Sequence, residues 1–153
     1  MTMDLILWRH AEAEDANGKA DLERGLTRHG RKQAEAMAEW IKPRLPGKCR
    51  ILVSPAKRTL QTIEPLGMKF ETDRRVAPDV NATSILDAAG WPEAGGAVMV
   101  VGHQPTLGEV AAQLLEAGGG IAIPKGAIWW FTTKGPHAEV KLAAVMRPDL
   151  AQE

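Results

Sequence analysis

Leu5-Ile6-Leu7-Trp8-Arg9-His10-Ala11-Glu12 carries four apolar residues into an arginine and a histidine, then into a polar, acidic segment. A short continuous apolar run bounded by polar residues reads as a strand buried on both faces. Its carboxyl end delivers Arg9 and His10 into the crevice where α/β proteins place ligands. An Arg-His dipeptide alone is ordinary. Its weight depends on whether other strand ends supply further cations and a second histidine.

Two other segments do. Arg50-Ile51-Leu52-Val53 is a short apolar strand, and Ser54-Pro55 after it reads as an N-cap followed by proline at the first helical position. Ala56, Leu60 and Ile63 give that helix an apolar face. Lys57 and Arg58 fall in its first turn, where cations oppose the helix dipole by about 0.3–1 kcal/mol each. A bound anion would turn that cost into a gain. Ala97-Val98-Met99-Val100-Val101 is the clearest buried strand, and it runs into Gly102-His103-Gln104-Pro105. Thr106-Leu107-Gly108-Glu109 fits a capping box that opens the next helix. His103 thus occupies the same kind of place as His10.

The other two histidines read differently. Thr27 is a good N-cap, and Ala34, Met37, Ala38 and Ile41 follow at helical spacing, so His29 sits in the first turn of an amphipathic helix. His137 lies in the turn between two expected strands, Ala127 to Thr133 and Glu139 to Met146, which form a hairpin. Residues 11 to 25 read as a long polar loop, a length that is usually functional or disordered. Arg24 within it is a candidate for facing an anion. A weak strand is expected over Lys69 to Thr72 and a short helix over Thr83 to Ala89. Gly118-Gly119-Gly120 lacks the Lys-Ser or Lys-Thr ending of a P-loop.

The alternation predicts an α/β fold: a single domain over residues 1–153, with a largely parallel sheet, helices on both faces and a C-terminal hairpin. A chain of 153 residues with 44% hydrophobic and 25% charged residues suits one ordinary core. The formal net charge is zero, so no bulk attraction to nucleic acid or membrane is expected, and any anion site must come from local clustering. The single cysteine, Cys49, excludes an internal disulfide and a multi-cysteine zinc site. Met1-Thr2-Met3-Asp4 does not lead into a long apolar run, so the expected location is the cytoplasm.

If the three strands are neighbours, Arg9, His10, Arg58 and His103 converge on one crevice. Two arginines and two histidines make a pocket for a multiply charged oxyanion, because the planar guanidinium fork matches phosphate oxygens. One neutral imidazole can attack phosphorus while the other stays protonated and holds an equatorial oxygen. The histidines lack metal-ligand spacing and the arginines would repel a cation, so no metal is expected.

These stretches resemble the signatures of the histidine phosphatase superfamily. Arg9-His10-Ala11 is similar to its Arg-His-Gly start. Leu26-Thr27 with Gly30 and Gln33-Ala34, Ser54-Pro55 with Arg58-Thr59 and Gln61-Thr62, and Val101-Gly102-His103-Gln104-Pro105 resemble its later motifs in the same order. The resemblance spans roughly residues 4 to 146. The small size and the Asp21, Arg24, Leu26-Thr27 pattern look most like the SixA-type phosphohistidine phosphatase branch. Ala11 departs from the usual glycine.

The resemblance implies a phosphoglycerate mutase-like fold, with His10 as nucleophile carrying a transient phosphohistidine. Arg9, Arg58 and His103 would form the phosphate pocket, with no cofactor. Many members also supply a Glu or Asp to protonate an alcohol leaving group, after the second arginine. Here only Asp79 is a candidate, within Arg74-Arg75-Val76-Ala77-Pro78-Asp79. General acid catalysis contributes roughly 10²–10⁴-fold, so an enzyme without it should favour a substrate whose leaving group departs easily. Phosphohistidine on a partner protein fits. The alternatives are a broad small-molecule phosphomonoesterase using Asp79 and a non-catalytic module that binds phosphorylated partners.

Overall fold

The computed structural model describes residues 2–152; residues 1 and 153, the ends of the expected domain, lie outside them. One six-stranded sheet holds β1 (Met3–Arg9), β2 (Cys49–Val53), β3 (Glu71–Thr72), β4 (Ala97–Gly102), β5 (Ile128–Thr133) and β6 (Val140–Met146) in the order β3-β2-β4-β1-β5-β6. The first four strands in that order are mutually parallel. β5 and β6 are antiparallel and form the expected hairpin. The α/β architecture is therefore the one the sequence predicts.

Each central strand feeds two cores, because side chains alternate across a strand. Leu5, Leu7, Val98 and Val100 face α3 (Ala82–Ala89) and α4 (Thr106–Leu114), meeting Ile85, Leu107 and Val110. Ile6, Trp8, Met99 and Val101 face the opposite side, meeting Met37, Ala38 and Ile41 of α1 (Arg28–Ile41) and Ile63 of α2 (Lys57–Ile63). Burial on both faces explains why these strands read as continuous apolar runs. A short α5 (Pro148–Ala151) packs beside α1. Among the described residues no helix is long and apolar enough to cross a membrane.

Helix starts depart from the sequence reading in two places. α2 begins at Lys57, with Ala56 extended at φ −64° and ψ 141° as its N-cap. Ser54 therefore does not cap it, and Pro55 is not its first helical residue. α4 has no capping box, because Pro105 is already in the helical region and Thr106 turns its hydroxyl onto Val80 O. Gln104 does that work instead: Oε1 accepts the Gly108 N–H and Nε2 donates to Ile121 O at 2.9 Å. The weak strand shrinks to Glu71–Thr72. Thr27 caps α1 as expected, its hydroxyl accepting the Gly30 N–H at 2.9 Å.

Candidate active site

β2, β4 and β1 are adjacent, so their carboxyl ends open on one crevice. Arg9 pairs with Gly102 across β1 and β4, which places His10 beside His103. The His10 N–H donates to Gly102 O at 3.1 Å. The two imidazoles lie with ring centroids 5.4 Å apart and planes tilted by 52°. From the neighbouring β2 the chain passes through Ser54 into α2, which brings in Arg58. The four residues expected to converge do so around a cavity of about 320 Å³.

His10 is 7% exposed and its Nδ1 lies 2.7 Å from Ala11 O. A carbonyl oxygen only accepts, so Nδ1 carries the proton and Nε2 keeps its lone pair. Burial, followed by the charges of Arg58, Arg9 and Arg24, lowers the His10 pKa to about 4 against the backbone hydrogen bond. The ring is thus neutral near pH 7. His103 is 4% exposed, and burial together with Arg58 lowers its pKa to about 3. The second imidazole is therefore also neutral near pH 7, not protonated as the sequence led us to expect, because burial among arginines disfavours a further positive charge. Its Nε2 lies 2.7 Å from Ser54 Oγ.

Arg9 donates through Nη1 to Ile123 O at 2.8 Å. Arg58, 3% exposed, donates through Nη1 to Asp21 O at 2.9 Å and through Nη2 to Asp21 Oδ2 at 3.1 Å. Arg24 reaches the other carboxylate oxygen at 3.0 Å and Glu14 O at 3.0 Å. It is therefore fixed on the cavity wall. Asp21 bridges two arginines, supplying part of the negative charge that cations in the first turn of α2 call for. Burial pulls the other way, but hydrogen bonds from Arg58 and Arg24 hold its carboxyl below the usual range. Three buried nitrogens of the site, Arg9 Nε, Arg58 Nε and His103 Nδ1, have no partner. Buried donors are nearly always satisfied, and a tetrahedral oxyanion offers the acceptors that these lack.

Asp79 lines the cavity from its rim, exposed and with φ at +67°. Positive φ is uncommon for a residue with a side chain, though aspartate is among the more tolerant. Asp21, Gln104 and Lys125 also line the cavity and went unread as site residues. For Asp21 the signal was an acid three residues before Arg24. Lys125 sits in a loop with no pattern of its own, beside Gly126, whose N–H donates to His10 O and whose carbonyl accepts from Trp8 Nε1. His29 and His137 are exposed and away from the cavity lining.

A model of the histidine phosphatase superfamily (branch 1) matches residues 5–87. A phosphohistidine phosphatase SixA homolog of Haemophilus influenzae is 32% identical over 127 residues, covering 73% of this chain and 77% of the relative. Phosphohistidine phosphatase SixA of Escherichia coli is 31% identical over 120 residues, covering 73% and 74%. Among solved structures, a SixA-type chain from Nakamurella multipartitia is 27% identical over 97% of both chains, with a TM-score of 0.77. A SixA solved with tungstate shares the fold at 24% identity and a TM-score of 0.79, covering 97% of this chain and 99% of its own. The chain belongs to the histidine phosphatase superfamily. Within it, these similarities place the chain in the SixA-type branch, as its motifs led us to expect.

Proposed function

We propose that this histidine phosphatase removes phosphate from phosphohistidine on a partner protein, through a covalent intermediate on His10. The observation that carries the reading is the His10 ring. Its Nδ1 proton is committed to Ala11 O at 2.7 Å, which leaves the Nε2 lone pair as nucleophile. Nε2 attacks phosphorus, the bond from phosphorus to the substrate imidazole breaks, and that imidazole, protonated on its other ring nitrogen, takes the electron pair and leaves neutral. Water then attacks the phospho-His10, displacing the His10 ring and yielding inorganic phosphate. Arg9, Arg58 and His103 would balance the phosphoryl oxygens throughout, so catalysis would be mainly positioning and electrostatic stabilisation. No step is assigned to a metal.

The leaving group decides between substrates. Asp21 cannot serve as a proton donor while two arginines hold it ionised. An imidazole leaves more readily than an alkoxide, which favours phosphohistidine. The names of the curated relatives point the same way. Asp79 on the rim keeps a second reading in play, a small-molecule phosphomonoesterase with Asp79 as general acid. Incubation with a phosphohistidine-bearing protein should leave acid-labile phosphate on His10, and His10→Ala should abolish turnover. Hydrolysis that survives His10→Ala overturns the proposal.

A further inference from the structure

Ser54 follows β2 at a point where both of its backbone groups are tied down. Its N–H donates to Val101 O at 3.1 Å, and its carbonyl accepts from Thr59 Oγ1 at 2.8 Å. The side chain is fully buried. Oγ accepts the Ala56 N–H at 3.3 Å and lies 2.7 Å from His103 Nε2. A hydroxyl has one proton and two lone pairs. Of the two polar atoms in contact with Oγ, the Ala56 amide can only donate, so His103 Nε2 is the one acceptor within reach of the hydroxyl proton.

Two arrangements of the neutral ring follow. If Nε2–H donates to Ser54, the buried hydroxyl proton has no acceptor and the Nδ1 lone pair has no donor. If Ser54 donates to Nε2, the hydroxyl is satisfied and only the Nδ1 proton lacks a partner. A buried unsatisfied polar group costs about 1–3 kcal/mol, so the second arrangement is favoured. Its single unsatisfied group is a donor on a residue that lines the cavity. A bare lone pair at Nδ1 would instead repel an anionic oxygen.

We propose that Ser54 is a positioning residue that fixes His103 as the Nδ1–H tautomer, keeping a buried, unpartnered hydrogen-bond donor on a ring that lines the cavity, available to an incoming oxyanion. Ser54 touches no substrate and acts only through the imidazole. Its relevance to turnover rests on the phosphatase reading above; the tautomer itself does not.

Long-range ¹⁵N–¹H correlation on the ligand-free protein reads the tautomer without any turnover, so this test can fail or succeed independently of the proposed reaction. In the unaltered protein His103 should show a protonated Nδ1 and an unprotonated Nε2. Ser54→Ala should shift the ring towards Nε2–H and weaken orthovanadate binding roughly 10-fold, the scale of one hydrogen bond to a charged group. Ser54→Thr, which keeps the hydroxyl, should restore the Nδ1–H pattern. An Nε2–H tautomer in the unaltered protein overturns the proposal, and that spectrum decides even if both variants fail to fold. A His103 pattern unchanged in folded Ser54→Ala overturns it equally.

Discussion

Acidifying the protein from pH 7 to pH 5 should cost about 4 kcal/mol of stability through two side chains alone. His10 and His103 have pKa values of about 4 and about 3 in the folded chain, against about 6.5 when unfolded. Between those limits the unfolded state binds the protons and the folded state does not, so stability rises with pH. The contribution is whole above about pH 6.5 and is lost as pH falls. At pH 5 the unfolded rings are 1.5 units below their pKa while the folded rings remain neutral. At 1.36 kcal/mol per unit, each histidine costs about 2 kcal/mol. Urea unfolding at both pH values, for the unaltered protein, His10→Gln, His103→Gln and the double variant, isolates the effect, because carboxylate titrations cancel in the differences. Each single variant should lose about half of the excess pH dependence and the double variant nearly all of it. Orthovanadate should reduce the loss in the unaltered protein, since an anion beside the rings favours their protonation. A double variant that weakens between pH 7 and pH 5 as steeply as the unaltered protein would refute the placement of two neutral imidazoles among arginines.

Three further outcomes follow from the geometry. Asp79→Asn should leave phosphohistidine hydrolysis within about threefold. If Asp79 acts as general acid, the same variant should slow phosphate-ester hydrolysis by roughly 10²-fold or more, on the scale of general acid catalysis, and steady-state rates on both substrates separate the cases. Asp21→Asn removes the carboxylate charge that Arg58 and Arg24 share, while Arg58 keeps its bond to the Asp21 carbonyl. It should raise KM more than it lowers kcat, with a stability change under about 1 kcal/mol because the pair is exposed on the Asp21 side. Gly30→Ala drives a Cβ into the Glu12 carbonyl, and a backbone group cannot swing aside. A loss of about 1–3 kcal/mol in urea unfolding is expected.

The site was legible where strand chemistry carried it. β1 and β4 are buried on both faces, so their apolar runs end abruptly at Arg9-His10 and Gly102-His103, and an abrupt end is easy to read. Arg58 was legible because a cation in a first turn asks for an anion. Ser54 reads as a cap because Ser-Pro is a common helix start, and it is the extended conformation of Ala56 that moves the start to Lys57. The Thr106 and Glu109 spacing imitated a capping box for a similar reason: Pro105 is already helical, and the amide of Gln104 takes the Gly108 N–H. Lys125 and Gln104 reach the cavity through loop placement, which has no periodicity to betray it. Asp21 joins Arg58 across 37 positions of sequence, beyond the range of any local pattern.

The one-to-one pairing of Arg9 with Gly102 has a consequence for how such an enzyme can change over time. Two histidines that follow directly after paired positions on adjacent parallel strands inherit their separation from the sheet, where neighbours sit about 4.8 Å apart. That ruler is built from main-chain hydrogen bonds and is indifferent to which side chains surround it. Lengthening, shortening or rewriting the loops that carry Asp21, Asp79 and Lys125 alters who may approach the pocket and leaves the gap between the rings untouched. New substrates can thus be acquired at the rim without renegotiating the chemistry at the floor.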